Sequence, residues 1–387
     1  MELMTRGPTR TARGTLLATS MATIMAAAII APSLPAMSSY FGSEVLVRLA
    51  LTITSLAIAV SAPVAGRFAD RWGRRRLLIG SLLLYAVAGS AGYFARDLAV
   101  LITTRILLGV AVGGMMTTVS ALITDWFDGP RRASFLGLQQ AFASLGGVIF
   151  LPLAGLLAAG NWRWPFWIYV VAALIVPFAI RSVRDERRTG GVAVPLDQRP
   201  TEWRRVFGIY GLALGATLVF FMAPTQLPFL MASLGIGPAM TGVVVAASTV
   251  TGILGALMFP SARRRFTPAT ITAASLVLLG VGWLVIGSTA SVVLVLVGLL
   301  IGGAGVGVVV PNLNLRLSEL ARSNQRAQVL GGLVSGIFLG QFLSPLVAQP
   351  LVQTIGIRTT FTASGLLIAV AGVAALFRFI HNERKDK

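Results

Sequence analysis

The chain has 387 residues, of which 56% are hydrophobic and 12% are charged, and its mean hydropathy is +0.82. Soluble domains carry about 25% charged residues, so this composition indicates a protein embedded in a membrane. The net charge of +19 does not indicate nucleic-acid binding, because the arginines fall in short segments between apolar runs. With no cysteine and one histidine, His381, on the C-terminal tail, we expect no disulfide and no metal site.

Twelve apolar segments are long enough to cross a bilayer, which takes about 20 residues. For the first segment the alternative is a signal peptide, because Arg6, Arg10 and Arg13 precede it, but its length of about 23 residues favours a span. The even number of spans places both termini on one side. The predicted spans are 15–37, 47–66, 77–95, 98–124, 133–157, 164–180, 206–231, 240–260, 268–287, 291–315, 328–349 and 358–379.

The distribution of basic residues indicates how the chain is oriented. If the spans alternate in direction, most of the 32 Lys and Arg residues lie on the side of the termini, and an excess of Arg marks the cytoplasmic side. Arg105 alone is left in the interior of a span, away from its ends. We therefore predict a multi-pass protein of the cytoplasmic (inner) membrane with both termini in the cytoplasm. The other side is predicted to hold Arg48, Arg96, Arg163 and Arg358.

The segment between spans 2 and 3, from Gly66 to Arg76, reads Gly-Arg-Phe-Ala-Asp-Arg-Trp-Gly-Arg-Arg-Arg. Its five arginines keep this loop at a membrane surface. Gly73 permits a tight turn, Asp70 can cap a helix N-terminus, and Arg74 can reach a carboxylate. Composition alone is typical of a generic basic loop. The order Gly-x-x-x-Asp-Arg-x-Gly-Arg-Arg between two spans, however, resembles the loop signature of the major facilitator superfamily.

The chain also repeats internally, since Asp125 aligns with Glu319 and Pro152 with Pro345 at nearly the same offset. Two six-helix halves in parallel register are the layout of this superfamily. We therefore expect an all-α integral membrane protein with twelve transmembrane helices in two pseudo-symmetric bundles. The predicted parts are an N-terminal half at 1–180, a cytoplasmic linker at 181–205 and a C-terminal half at 206–387.

The resemblance implies a conformational latch at the inner face. In it, Arg74 pairs with an acid on helix 4, for which Asp125 is the candidate, and Asp70 sits at the start of helix 11. Such contacts join the halves when the inner side is closed. The alternative is that these are ordinary interfacial charges. The predicted latch residues are Gly66, Asp70, Arg71, Gly73, Arg74, Arg75 and Asp125.

Arg105 lies within a predicted span, where an arginine costs about 2.5–3.5 kcal/mol on insertion scales. It persists there if it faces a wet cavity or a partner, and the alternative is snorkelling to the outer surface. Arg105 followed by Gly109 and Gly113 resembles the fourth-helix motif of the superfamily, which implies that the guanidinium faces the central cavity and is linked to coupling. The two glycines also form a face for close helix packing.

Helix 5 partly matches a glycine-rich motif of proton-coupled exporters in the superfamily. Leu151 and Leu156 stand where that motif has glycine, so the direction of transport stays open. A kinked packing helix is the alternative. The match is carried by Gly146, Gly147, Pro152 and Gly155.

All 13 Asp and Glu residues fall in loops or at the ends of predicted helices. A permanent cation would then have no buried counter-ion, so a neutral or anionic solute is favoured. Besides Arg105, the expected substrate or coupling residues are Gln139, Gln140, Gln226 and Gln341.

We predict a secondary active transporter that moves a small organic solute by alternating access, with proton-coupled efflux as the mode. Uniport and proton-coupled uptake of a neutral or anionic metabolite are the alternatives, and a membrane receptor or enzyme is a distant one. An enzyme would need clustered His, Asp or Glu, and the sequence offers no such cluster. We expect no cofactor beyond a proton gradient, a monomer, and no partners other than the solute and the lipid bilayer.

Overall fold

A computed structural model describes residues 8–24, 26–127, 129–183, 201–322 and 325–385. These residues form fourteen α-helices and three short 3-10 helices. Twelve segments of the described chain are long and apolar enough to cross a membrane. The structure therefore confirms the predicted all-α class and the predicted number of spans.

The first six spans contain seven α-helices, because the first span is divided. Their bounds are α1 Arg10–Ile24, α2 Leu34–Phe41, α3 Glu44–Trp72, α4 Arg74–Ala91, α5 Leu98–Trp126, α6 Gly129–Gly160 and α7 Val171–Ser182. The 3-10 helices lie at Ala28–Ser33, Gly92–Phe94 and Trp164–Val170.

The last six spans contain the other seven helices, because the seventh span is also divided. Their bounds are α8 Trp203–Phe220, α9 Met222–Ser233, α10 Pro238–Arg265, α11 Pro268–Ser288, α12 Val292–Leu320, α13 Arg326–Ile355 and α14 Ile357–Lys385. Most of the predicted linker at 181–205 lies outside the described residues.

The same pattern of helix contacts occurs in both sets of spans. In the first half, α5 packs between α3 and α4, α1 packs on α6, and α4 packs on α7. In the second half, α12 packs between α10 and α11, α8 packs on α13, and α11 packs on α14. The two halves meet mainly where α6 contacts α10 and where α3 contacts α13.

Two faces of the molecule are needed below. We call the face with the Gly73 turn, the start of α1, the end of α7 and the start of α8 the basic face. The other is the opposite face, where Asp97 caps the start of α5 by accepting a hydrogen bond from Val100 N at 2.8 Å. Ser43 caps α3 on the same face by accepting from Leu46 N at 3.3 Å. These caps satisfy backbone N–H groups that a helix start leaves unpaired.

The segment 66–76 is helical where the sequence predicted a loop. Helix α3 continues to Trp72 and α4 starts at Arg74, so Gly73 alone separates them. Gly73 has φ 92° and ψ 144°, a conformation that side-chain-bearing residues rarely adopt. The expected tight turn at Gly73 is confirmed. The expected loop is wrong, because helical hydrogen bonds satisfy the backbone while the arginine side chains still reach the surface.

Spans 1 and 7 are each broken into two helices. The sequence had predicted each of them as a single continuous helix. Helix α1 ends at Ile24, and a 3-10 helix at Ala28–Ser33 containing Pro32 precedes α2. Helix α8 ends before Phe221, and α9 starts three residues before Thr225. Proline has no N–H and clashes with the carbonyl four residues back, so Pro32 and Pro224 each disturb helical hydrogen bonding.

Candidate transport site

The break in the first span is held by two buried tyrosines. The hydroxyl of Tyr85 donates to Ala22 O and that of Tyr169 donates to Ala26 O, each at 2.7 Å. These carbonyls flank the point where the regular helix stops. The tyrosines therefore satisfy backbone groups that would otherwise be unpaired inside the membrane.

Arg105 belongs to the same network. Its Nη1 donates to the Tyr169 hydroxyl at 3.1 Å and its Nη2 to Gly89 O at 2.9 Å. The guanidinium carbon lies 4.9 Å from the centre of the Phe166 ring and 5.0 Å from that of Tyr169. Carbonyl dipoles and aromatic faces thus stabilise the positive charge in place of a carboxylate.

This placement corrects the expected orientation of Arg105. The side chain is 1% exposed and points toward α4 and the Trp164–Val170 helix of its own half, not into a cavity between the halves. The space for it exists because a glycine directly follows α4: a Cβ at Gly92 would lie 2.9 Å from Arg105 Nη2. A role of Arg105 in binding or coupling stays a prediction, and its contacts make it a support of the first span.

Arg74 and Asp125 form an ion pair at the basic face, as the resemblance implied. Arg74 Nη1 also donates to Ala121 O at 2.7 Å. Both residues lie in the first half, so the pair ties the start of α4 to the end of α5. The side chain of Asp70 and those of the first two residues of α13 lie outside the described residues. The latch between the halves therefore stays a prediction.

The other predicted latch residues surround the Gly73 turn. Arg75 donates from Nη2 to Ile180 O at 2.6 Å, which binds it to the end of α7. Arg71 is exposed. Gly66 faces α5, where Thr117 Cγ2 is the nearest atom to an added Cβ, at 3.8 Å.

The predicted packing glycines lie where helices approach closely. Gly109 contacts the backbone of Thr54, and Gly113 contacts Ser61, both on α3. Gly155 lies between the halves, since a Cβ there would stand 2.5 Å from Pro238 O. Pro152 is within α6 and partly exposed.

Arg48 joins the halves at the opposite face. It is 1% exposed, and its Nη1 pairs with Glu44 Oε2 at 2.8 Å. Its Nε donates to Thr225 O at 3.3 Å, and its guanidinium carbon lies 3.6 Å from the centre of the Phe229 ring. The sequence placed Arg48 on the side away from the termini, and in the structure it lies at the opposite face, in the second turn of α3, which begins at Glu44, three residues before the predicted span.

The predicted glutamines have different environments. Gln341 Oε1 accepts a hydrogen bond from Ser55 Oγ at 2.7 Å, which links α13 to α3 across the halves. Gln226 in α9 is 0% exposed, and neither Nε2 nor Oε1 has a hydrogen-bond partner. Gln139 is partly exposed and Gln140 is exposed on α6. The structure therefore brings Gln226 and Gln341, but not Gln139 or Gln140, into the buried region near the contact between halves.

Gln226 lies where the two broken spans meet. Helix α9 packs against the 3-10 helix Ala28–Ser33 of the first span, against α2 and against α13. Ser33, at the end of that 3-10 helix, is also 0% exposed, and its Oγ has no hydrogen-bond partner. Buried polar groups in proteins are nearly always satisfied, so the unpaired groups here are candidate contacts for a solute. Discontinuous helices near the middle of the membrane commonly form solute sites.

Each acidic side chain that the structure describes lies at a helix end. Glu44 is in the first turn of α3, Asp97 caps α5, and Glu202 directly precedes α8. Asp125 and Glu319 lie in the last turns of α5 and α12. Within this part of the chain, no carboxylate is available in the middle of a span.

Sequence reasoning missed Arg48, Tyr85 and Tyr169. Arg48 had one signal, the acid Glu44 four residues earlier, which places both side chains on one helix face. The tyrosines had no signal in the sequence, because their partners are backbone carbonyls of another helix.

Twelve spans in two halves of matching helix contacts, with a broken span from each half meeting at the centre, define a membrane transporter. A family model described as Major Facilitator Superfamily matches residues 16–212 and 209–387. The chain therefore belongs to the Major Facilitator Superfamily, as the signature at Gly66–Arg76 implied.

Two relatives illustrate the range of similar proteins. The 3-(3-hydroxy-phenyl)propionate transporter of Escherichia coli (strain K12) is 27% identical over 348 residues, 83% of this chain and 82% of that protein. The multidrug transporter protein MdtP of Bacillus subtilis (strain 168) is 29% identical over 166 residues, 42% of this chain. The matched part covers only 31% of MdtP.

Two solved structures share the fold over nearly the whole chain. A bacterial homolog of the human lysosomal transporter Spinster, in an inward-facing and occupied conformation, has a TM-score of 0.76 at 16% identity, over 97% of each chain. A D-xylose-proton symporter has a TM-score of 0.76 at 15% identity, over 94% of this chain and 96% of that one. At these identities the likeness shows the fold alone.

Proposed function

We propose that this transporter carries a small neutral or anionic organic solute through the cytoplasmic membrane by alternating access. The observation that carries the proposal is the buried, unpaired amide of Gln226 at the meeting point of spans 1 and 7. An unsatisfied buried amide costs about 1–3 kcal/mol. It offers both donors and an acceptor, so it suits a hydroxyl, carbonyl or carboxylate group of a solute.

The charges of the described residues support this solute class. Arg48 and Arg105 are buried cations, and the described acids lie at helix ends. The field inside the protein therefore favours a neutral or negative solute over a permanent cation. The name of the relative that spans most of this chain specifies an aromatic carboxylate, which agrees with that preference.

The basic face is proposed to be the cytoplasmic one, with both termini on that side. The arginines of the Gly73 turn and Arg263–Arg265 at the end of α10 lie there, and the positive-inside rule assigns such a face to the cytoplasm. The halves contact each other through Arg48 at the opposite face, which in this proposal is the outer side and is closed. A single chain holds both halves, which supports a working monomer.

We propose proton-coupled export as the mode, with the proton gradient as the only energy source. The similarity to MdtP, a multidrug transporter by name, supports export. Proton-coupled uptake is the second candidate, because the relative with the longer match is named as a transporter without a stated direction. The two differ in whether solute and proton move in opposite directions or together.

Proteoliposomes with an imposed pH gradient test direction and coupling. The probes are an aromatic carboxylate, an aromatic alcohol and a quaternary ammonium compound of similar size. We expect saturable, gradient-dependent movement of the first two and none of the third. Movement opposite to the protons supports export, and movement with them supports uptake. Rates independent of the gradient indicate uniport, and saturable transport of the quaternary compound would contradict the solute class.

Gln226→Met tests the site itself. Because Met fills similar volume without a polar group, we expect the melting temperature to stay equal or rise while solute transport falls at least tenfold. Gln353→Met, at an exposed position of α13, is the matched control and should change neither quantity. Full transport by Gln226→Met would show that the Gln226 amide is not part of the solute site.

A further inference from the structure

A cavity of about 420 Å³ opens on the flank of the first half, between α1, α6 and α7. We call it the flank groove. Its floor is a stripe of α1 at helical spacing that includes Thr11, Gly14 and Ala18. On its rim, Leu174 and Phe178 of α7 are 67% and 53% exposed. The groove therefore opens sideways toward the surrounding bilayer and not between the halves.

The helix arrangement explains why the flank groove is there. Near the opposite face, α6 packs against the Trp164–Val170 helix that leads into α7. Toward the basic face the floor of the groove is α1, which is bound to α7 through Thr15 and Ser182, with 3.2 Å between their hydroxyl oxygens. Gly14 leaves space above this floor, since nothing lies within 4 Å of an added Cβ.

Basic side chains stand at the end of the flank groove nearest the basic face. Arg10 precedes Gly14 by one helical turn on α1, and Arg181 follows Phe178 by one turn on α7. Both arginines are exposed. Neither α1 nor α7 contains an acidic residue, so this mouth is complementary to a negative group.

The inner end of the flank groove reaches the break in the first span. Tyr85 and Ala22 line it there, and the hydrogen bond between them holds the end of α1. A molecule that filled the groove would contact this bond and would hold α1 against α6 and α7.

We propose that the flank groove binds an acyl chain of an anionic phospholipid from the leaflet at the basic face, with the headgroup phosphate at Arg10 and Arg181. Apolar walls open to a bilayer suit a hydrocarbon chain, and arginine forms strong paired hydrogen bonds with phosphate. Because the chain meets the Tyr85–Ala22 bond, the lipid stabilises the broken first span. This is a lipid site separate from the solute site at Gln226.

The test is thermal unfolding of the full-length protein in detergent, with dioleoyl phosphatidylglycerol or dioleoyl phosphatidylcholine added. We expect a saturable rise in melting temperature that is larger for phosphatidylglycerol. Gly14→Trp, which fills the groove, should abolish the rise. Gly80→Trp is the matched control, because Gly80 is also an exposed helical glycine with nothing within 4 Å of an added Cβ.

A charge variant separates the headgroup from the chain. Arg10→Gln with Arg181→Gln should remove the preference for phosphatidylglycerol but keep the response to phosphatidylcholine. The control removes the same charge from two exposed arginines of the second half, Arg264→Gln with Arg265→Gln, and should respond as the wild type does.

Three results would overturn the proposal. One is a Gly14→Trp variant that responds to lipid as the wild type does. Another is an unchanged lipid preference in the Arg10 and Arg181 double variant. The third is no saturable response of the wild type to either lipid, the result expected if detergent or another part of the chain fills the groove. If Gly14→Trp does not fold, the smaller Gly14→Leu is used, with bound phosphatidylglycerol counted by native mass spectrometry.

Discussion

Tyr169 connects Arg105 to the break in the first span, because its hydroxyl accepts from the guanidinium and donates to Ala26 O. Tyr169→Phe removes one oxygen and leaves both partners buried without it. We expect the free energy of unfolding to fall by about 1–3 kcal/mol, the cost of leaving buried polar groups unsatisfied. The measurement is thermal or denaturant unfolding in detergent.

Tyr40→Phe is the control for that measurement. Tyr40 is 49% exposed near the opposite face, so the loss of its hydroxyl should leave stability unchanged. Equal effects of the two substitutions would contradict a supporting role for the Tyr169 hydroxyl.

The turn at Gly73 was predictable because it depends on residues adjacent in the chain, and it is observed. The pairing of Arg74 with Asp125, which are distant in the chain, was implied by the family resemblance and is also observed. Arg105 was recognised as unusual, yet its direction was wrong. That direction depends on Gly89, Gly92 and Tyr169, which lie on other segments and make space and partners for it. No pattern local to Arg105 carries this information.

The connection between α3 and α4 is a single glycine with positive φ, which gives a sharp prediction. Gly73→Ala places a Cβ in a conformation nearly restricted to glycine, so we expect a loss of stability of about 1–3 kcal/mol. Gly80→Ala in α4 is the control, since the added methyl meets no atom within 4 Å. That control should be neutral or stabilising by about 0.4–1 kcal/mol. The measurement is the unfolding midpoint of each variant in detergent. Equal midpoints for Gly73→Ala and Gly80→Ala would contradict the prediction.

Helix existence was predictable for every span, whereas helix breaks and ends were not. The length of each apolar run can be read directly from the sequence, so the twelve spans could be counted before the structure was known. The ends depend on capping and on surface side chains that extend helices past the apolar run, as in α3 and α4. Prolines stand at 32 and 224, but many helices of this chain contain a proline, so the residue type alone does not locate a break. The break in the first span, however, is stabilised by tyrosines from α4 and from the Trp164–Val170 helix.

At the opposite face, Arg48 contributes contacts that hold the two halves together. Arg48→Ala removes the bond to Thr225 O and the contact with Phe229, so the state open at that face should become more populated. A change of one or two kcal/mol shifts such an equilibrium by about 5–30-fold. Since the chain has no cysteine, Ser344→Cys on α13 can report opening by its rate of labelling with an impermeant maleimide.

Two controls accompany the Arg48 experiment. Arg96→Ala removes an exposed arginine of the same face and should leave the labelling rate of Ser344→Cys unchanged. Ser39→Cys, exposed near the end of α2, should label equally fast in every background. If Arg48→Ala leaves labelling at position 344 unaltered, the contacts of Arg48 do not hold the halves closed.

Helix α3 has a mechanical consequence, because it is one continuous rod of 29 residues, about 44 Å at 1.5 Å per residue. Arg48 stands near one end of this rod, and the single-residue joint at Gly73 stands at the other. A stiff rod that tilts about its middle moves its two ends in opposite directions. Movement of the Arg48 end against the second half is thereby transmitted along α3 to the joint beside Arg74 and Asp125, and Pro63 within the helix marks a point where the rod can bend.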